Sequence, residues 1–115
     1  MSNYSRGRDF EWRVRDYLRD NGYEVTRAAG SKTKLDLIAM KPGQLLFVQC
    51  KRTSLPGPAE RVEIVRLAQM VGAVPLVATR GARGTGGPLL RRLLNDGSDP
   101  KAIEHFTIDF TEATA

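Results

Sequence analysis

Apolar residues recur along this chain at two spacings, and the spacings divide it into helices and strands. Phe10, Val14, Tyr17 and Leu18 fall at i, i+4, i+7 and i+8, one stripe of a helix over Asp9–Asn21. Asp9 is placed to cap or charge its start, and Asn21-Gly22 suits a left-handed end. Tyr23–Ala28 reads as a short strand, Ala29-Gly30-Ser31-Lys32 as a turn, and Leu35–Met40 as a second strand. Lys41-Pro42-Gly43-Gln44 is a reverse turn, so Leu45–Arg52 returns as the other half of an antiparallel hairpin. After a loop at Ser54–Pro58, Ala59–Val71 reads as an amphipathic helix stopped by Gly72. Val62, Val65, Leu67, Ala68 and Met70 form its expected apolar side.

Pro75–Thr79 is apolar on both faces, as a central strand would be. Arg80–Pro88 is a glycine-rich basic loop. Leu89–Leu94 reads as a short helix carrying Arg91 and Arg92, and the alternation of Phe106–Phe110 as a last strand. Residues 1–5, 81–88 and 111–115 are expected to be flexible. The sum is an α/β chain, a mixed sheet flanked by helices.

Its 115 residues suit one domain, with the whole chain, 1–115, as a single unit. Eighteen Lys and Arg against thirteen Asp and Glu give a net charge of +5 and an isoelectric point near 9.8. Such a balance points to a polyanion, nucleic acid before a membrane surface. Cys50 is the lone cysteine and His105 the lone histidine, which excludes an internal disulfide, a cysteine-based zinc cluster and a multi-histidine metal site. No run approaches a membrane span, and Met1–Arg8 lacks the apolar core of a signal peptide. The expectation is an intracellular, cytoplasmic protein, cellular or virus-encoded.

Polar side chains in apolar strands change the picture most. Asp36 interrupts Leu35-Asp36-Leu37-Ile38-Ala39, where an ionised carboxylate needs a cation, a metal or a hydrogen-bond set. Across the hairpin, Leu45-Leu46-Phe47-Val48 runs into Gln49-Cys50-Lys51. Period two puts Gln49 and Lys51 on one face and Cys50 on the other. A carboxylate, an amide oxygen and an ammonium converging there match metal-assisted phosphodiester cleavage. Asp36, Gln49 and the Cys50 main-chain carbonyl are candidate ligands of Mg²⁺, with Mn²⁺ as a substitute. Lys51 would stabilise charge on the phosphate or orient water. Glu11 flanks the apolar stripe of the first helix and is a further candidate acid and ligand. Singly, each of these also reads as an ordinary residue: a satisfied carboxylate, a solvated strand end, a small buried thiol, a surface helix position.

At these positions the chain resembles the archaeal-type Holliday junction resolvases of the PD-(D/E)XK nuclease superfamily. The resemblance runs from Arg6 to about Arg80 and rests on the ordered set Glu11, Gly22-Tyr23, Arg27, Ala29-Gly30-Ser31-Lys32, Asp36 and Lys51. It implies a restriction-endonuclease-like fold and a homodimeric, Mg²⁺-dependent endonuclease that nicks paired strands of a four-way DNA junction. It also implies catalytic roles for Glu11, Asp36, Gln49 and Lys51, a place near the scissile phosphate for Ser31, and a DNA contact for Arg27. Two positions depart from the pattern. Relatives commonly carry Glu where Gln49 stands, and often Arg where Trp12 follows the helix glutamate.

Arg6, Arg8, Arg13, Arg27, Lys32, Lys34, Arg52, Arg80 and Arg83 are candidate phosphate contacts, suited to a target defined by shape. Two equivalent cuts call for a two-fold dimer, to which the apolar stripe of Ala59–Val71 is a candidate contributor. The alternatives are another nicking or repair nuclease of the superfamily and a DNA-binding module that keeps the fold without catalysis.

Overall fold

The structure is a computed structural model that describes residues 3–28, 35–82 and 86–108, with side chains from residue 7 onward. Its elements run α1 (Asn3–Asp20), β1 (Glu24–Arg27), β2 (Leu37–Lys41), β3 (Gln44–Cys50), α2 (Pro58–Val71), β4 (Val74–Thr79), β5 (Leu89–Leu93) and β6 (Ile103–His105). The six strands form one sheet in sequence order. All neighbours are antiparallel except β3 and β4, which are parallel and joined through α2.

Each helix covers one face. Phe10, Val14 and Leu18 of α1 pack on Val25, Leu37, Ala39, Leu46, Val48, Leu76 and Ala78. Ile64 and Val65 of α2 pack on Val77 and Leu93. β4 is thus buried on both sides, as its continuous apolar run requires. Among the described residues, α2 packs chiefly on β3 and β4 rather than on β1 and β2. Ile38 and Phe47 stay half-buried on that face, and Met40 is exposed.

Several elements differ from the sequence expectation. α1 starts at Asn3, so Asp9 lies inside the helix and caps nothing, and residues 3–5 are helical rather than a loose end. Arg8 stacks on Trp12 one turn ahead, 5.1 Å from the ring centroid, which supports the added turns. β2 begins one residue after Asp36. Leu89–Leu94 is not a helix: Leu89–Leu93 pairs with β4, whose open ladder overrides the local propensity. The last strand is Ile103–His105, and Phe106 and Ile108 turn past its end into the α1-side core. Residues 109–115 lie outside the described residues.

The buried face of α2 also differs. Arg61, Ile64, Val65 and Ala68 are buried, whereas Val62, Met70 and Val71 are exposed. Arg61 is inside because its guanidinium donates to the carbonyls of Pro56 (2.6 Å), Gly97 (2.9 Å) and Ser98 (3.0 Å). It ties the start of α2 to the β5–β6 turn. That turn needs Gly97: its φ is +87°, and a Cβ there would lie 2.7 Å from the Arg61 carbonyl oxygen.

Candidate active site

The site forms where β2 starts and β3 ends. Asp36 is fixed by its main chain, with its N–H on the Val48 carbonyl (3.0 Å) and its carbonyl accepting the Ala28 N–H (2.9 Å). Extending the β2–β3 register by one residue sets Asp36 opposite Gln49, and strand alternation turns both toward the α2 side. Cys50 packs on the α1-side core instead. The Lys51 N–H bonds to the Ala78 carbonyl, so the N–H of Cys50 points the other way and donates to Asp36 Oδ2 at 2.7 Å. In an extended strand the Cys50 carbonyl shares that direction.

Burial pushes the Asp36 carboxyl up to about 6, and the charges of Glu11 and Glu60 add to the rise. The Cys50 hydrogen bond and Lys51 oppose it without cancelling it. The Cys50 thiol is raised too, by burial and then by the Asp36 and Glu11 charges. An electronegative site that holds its carboxyl up in this way is suited to a cation.

Gln49 is buried, and its Nε2 donates to Glu60 Oε2 at 2.6 Å. Its Oε1 is buried with no hydrogen-bond partner among the described residues. Lys51 Nζ lies 3.9 Å from the same Glu60 oxygen. Glu60 is a site residue that the spacing of the strands does not reveal. Its one signal in the sequence is an acid in the first turn of the helix that follows Lys51. Glu11 is not a free surface residue: its side chain is 16% exposed and accepts from Arg27 Nε at 2.6 Å.

The donor set fits a hard divalent cation. Asp36 offers a carboxylate, and Gln49 an otherwise orphaned carbonyl oxygen. Among the described residues no group of three or more His, Cys, Asp and Glu side chains is arranged around one metal position. Amide and main-chain oxygens would therefore have to share in the coordination.

The expected phosphate contacts divide. Arg13, Arg52 and Arg80 line one groove between α1 and the β4–β5 connection, together with Asp16, Tyr17 and Asp20. The Arg80 N–H bonds to the Arg52 carbonyl, which keeps the two basic residues side by side. Arg8 lies over Trp12, and Arg27 is paired with Glu11. Ser31, Lys32, Lys34 and Arg83, and the side chain of Arg6, lie outside the described residues. No helix among the described residues is long and apolar enough to cross a membrane.

Comparison with known proteins places the fold and the family. The family model for archaeal Holliday junction resolvase matches residues 2–91, which spans α1, the hairpin and α2. A crossover junction endodeoxyribonuclease of Methanocaldococcus jannaschii is 32% identical over 81 residues. That match takes in 67% of this chain and 60% of the relative, so the chain spans less than two-thirds of the relative's length. The solved structure of a Holliday junction resolvase from Archaeoglobus fulgidus superposes with a TM-score of 0.61 at 26% identity, over 76% of this chain and 70% of that one. With a family model matched over most of its length and the fold superposing on a solved member, this chain belongs to the archaeal Holliday junction resolvase family.

Proposed function

We propose that the chain is a structure-selective endodeoxyribonuclease that resolves four-way DNA junctions by paired nicks, with Mg²⁺ at the Asp36 edge. The observation that carries this reading is the meeting of the Asp36 carboxylate, the unpartnered Gln49 oxygen and Lys51 at one end of β3. Asp36, Gln49 Oε1 and the Cys50 carbonyl would hold the cation, with Glu11 close by. When bound, the cation supplies Lewis-acid charge to the scissile phosphate. In the hydrolysis, a water oxygen bonds to phosphorus as its proton passes to solvent, the bridging P–O bond to the departing strand end breaks, and the leaving oxygen takes a proton from solvent to become a hydroxyl. Lys51, half-exposed at the strand end, is placed to stabilise charge that builds on the phosphate. Ser31 keeps the role that the family resemblance implies.

Arg13, Arg52 and Arg80 would meet backbone phosphates along their groove, which positions DNA without reading its sequence. A two-fold dimer would supply the second active site. Its surface is proposed on the α2 side, where Met40, Val62, Met70 and Val71 are exposed.

The test is cleavage of an end-labelled immobile junction beside linear duplex, with Mg²⁺. Paired nicks confined to the junction are expected, and Asp36→Asn should abolish them while leaving junction binding intact. Cuts in both substrates would mean a general nuclease of the superfamily. A non-catalytic binding module is the second reading, favoured by the neutral Gln49. Tight junction binding with no cuts in Mg²⁺ or Mn²⁺ would establish it.

A further inference from the structure

The Gln49 amide is neutral, so Asp36 is the one carboxylate that β2, β3 and the residue before β2 bring to this edge. The fold brings a carboxylate to the same place from another element. Pro58 opens α2 close behind β3, and Arg61 ties that first turn to the carbonyls of Pro56, Gly97 and Ser98. Glu60, the residue before Arg61, is thereby held over the end of β3. One of its oxygens lies 2.6 Å from Gln49 Nε2 and 3.9 Å from Lys51 Nζ.

A carboxylate only accepts hydrogen bonds, so it decides which way the Gln49 amide faces. The NH₂ must turn to Glu60, and Oε1 must turn away from it. That oxygen then sits buried and unpartnered on the face that Asp36 shares. A buried carbonyl without a donor is costly unless its partner is a group that binds there later.

We infer that Glu60 is a positioning residue of the metal site: it holds the Gln49 amide in the one orientation that offers an oxygen to a divalent cation, and it supplies from α2 the negative charge that Gln49 lacks. The inference rests on the reading of Asp36 and Gln49 as cation ligands. Glu60 itself needs no contact with the metal. Its ion pair with Lys51 is half-exposed and long, so the hydrogen bond to Gln49 carries the effect.

The experiment is a Mn²⁺ titration of the full chain without DNA, read by the EPR signal of free Mn²⁺. Glu60→Gln and Glu60→Ala are compared with wild type and with the reciprocal swap Gln49→Glu/Glu60→Gln. Circular dichroism in EDTA checks that each variant is folded. Both single variants should bind Mn²⁺ about 10–100-fold more weakly, the usual cost of losing such a supporting partner. The swap should return affinity to near the wild-type value, because it keeps the same hydrogen bond and the same net charge with the two partners exchanged. Single variants that titrate like wild type would overturn the inference. A loss that the swap does not recover would also overturn it, since a role of Glu60 in α2 or with Lys51 stays broken in the swap. Wild-type protein that binds no Mn²⁺ would sink it together with the metal reading. Wild-type binding indifferent to Glu60 would leave that reading standing.

Discussion

Asp36→Asn should make the metal-free protein more stable at neutral pH while removing its activity. The Asp36 carboxyl is raised from an ordinary value of 3.8 to about 6 by burial and by Glu11 and Glu60. Folding therefore opposes the ionised form. Each unit is worth about 1.4 kcal/mol, so the ceiling on this penalty is about 3 kcal/mol. Asp36 keeps part of its surface in water, and screening trims the expected value to about 1–3 kcal/mol.

The pH dependence has a definite direction. Between pH 3.8 and about 6 the native chain holds the Asp36 proton more tightly than the unfolded chain does. This group's penalty is thus absent below the lower value, grows as pH rises through the window, and is complete above the upper one. Asparagine has the same shape, keeps an oxygen for the Cys50 N–H, and never ionises. Urea unfolding in EDTA at several pH values, wild type beside Asp36→Asn, reads the difference directly. The variant should be the more stable at pH 7, by about 1–3 kcal/mol, and the gap should close toward pH 4. Added Mg²⁺ should stabilise wild type and leave the variant almost unmoved. A variant less stable than wild type at pH 7 in EDTA would refute the reasoning, because Asp36 would then be a satisfied structural carboxylate.

Arg61→Met removes a buried donor set shared by three carbonyls and should cost about 3–5 kcal/mol, lowering the melting temperature by about 12–20 °C. A shift of only a few degrees in calorimetry would mean that water satisfies those carbonyls. Gly97→Ala drives a Cβ against the Arg61 carbonyl oxygen at positive φ and should destabilise by about 2–3 kcal/mol in urea unfolding. Arg52→Ala/Arg80→Ala should weaken junction binding and flatten the plot of log affinity against log salt by about two units; an unchanged slope would take the groove out of the DNA path. Met70→Glu/Val71→Glu places charge on exposed apolar positions of α2 and should shift a dimer to monomer in sedimentation equilibrium, with junction nicking no longer paired.

The hairpin and the site edge were legible in the residues because they depend on short-range rules. Alternation fixes which side of β3 Gln49 and Cys50 face, Pro42-Gly43 fixes the turn, and an acid inside an apolar run marks Asp36 as unusual. The family motif runs through the same local segments. Where long-range contacts decide, the sequence reading departs from the structure. Leu89–Leu93 has the leucines and arginines of a helix, yet the open edge of β4 pairs with it as a strand. Arg61 looks like a surface position until the carbonyls of Pro56, Gly97 and Ser98 converge on it, and the outward face of α2 follows from that anchor. Glu60 comes to Gln49 only because α2 crosses back over the end of β3. Periodicity carries which way a side chain points relative to its neighbours in the chain. Which distant group it meets depends on how the helices and strands are stacked, and that is set by the folded packing as a whole.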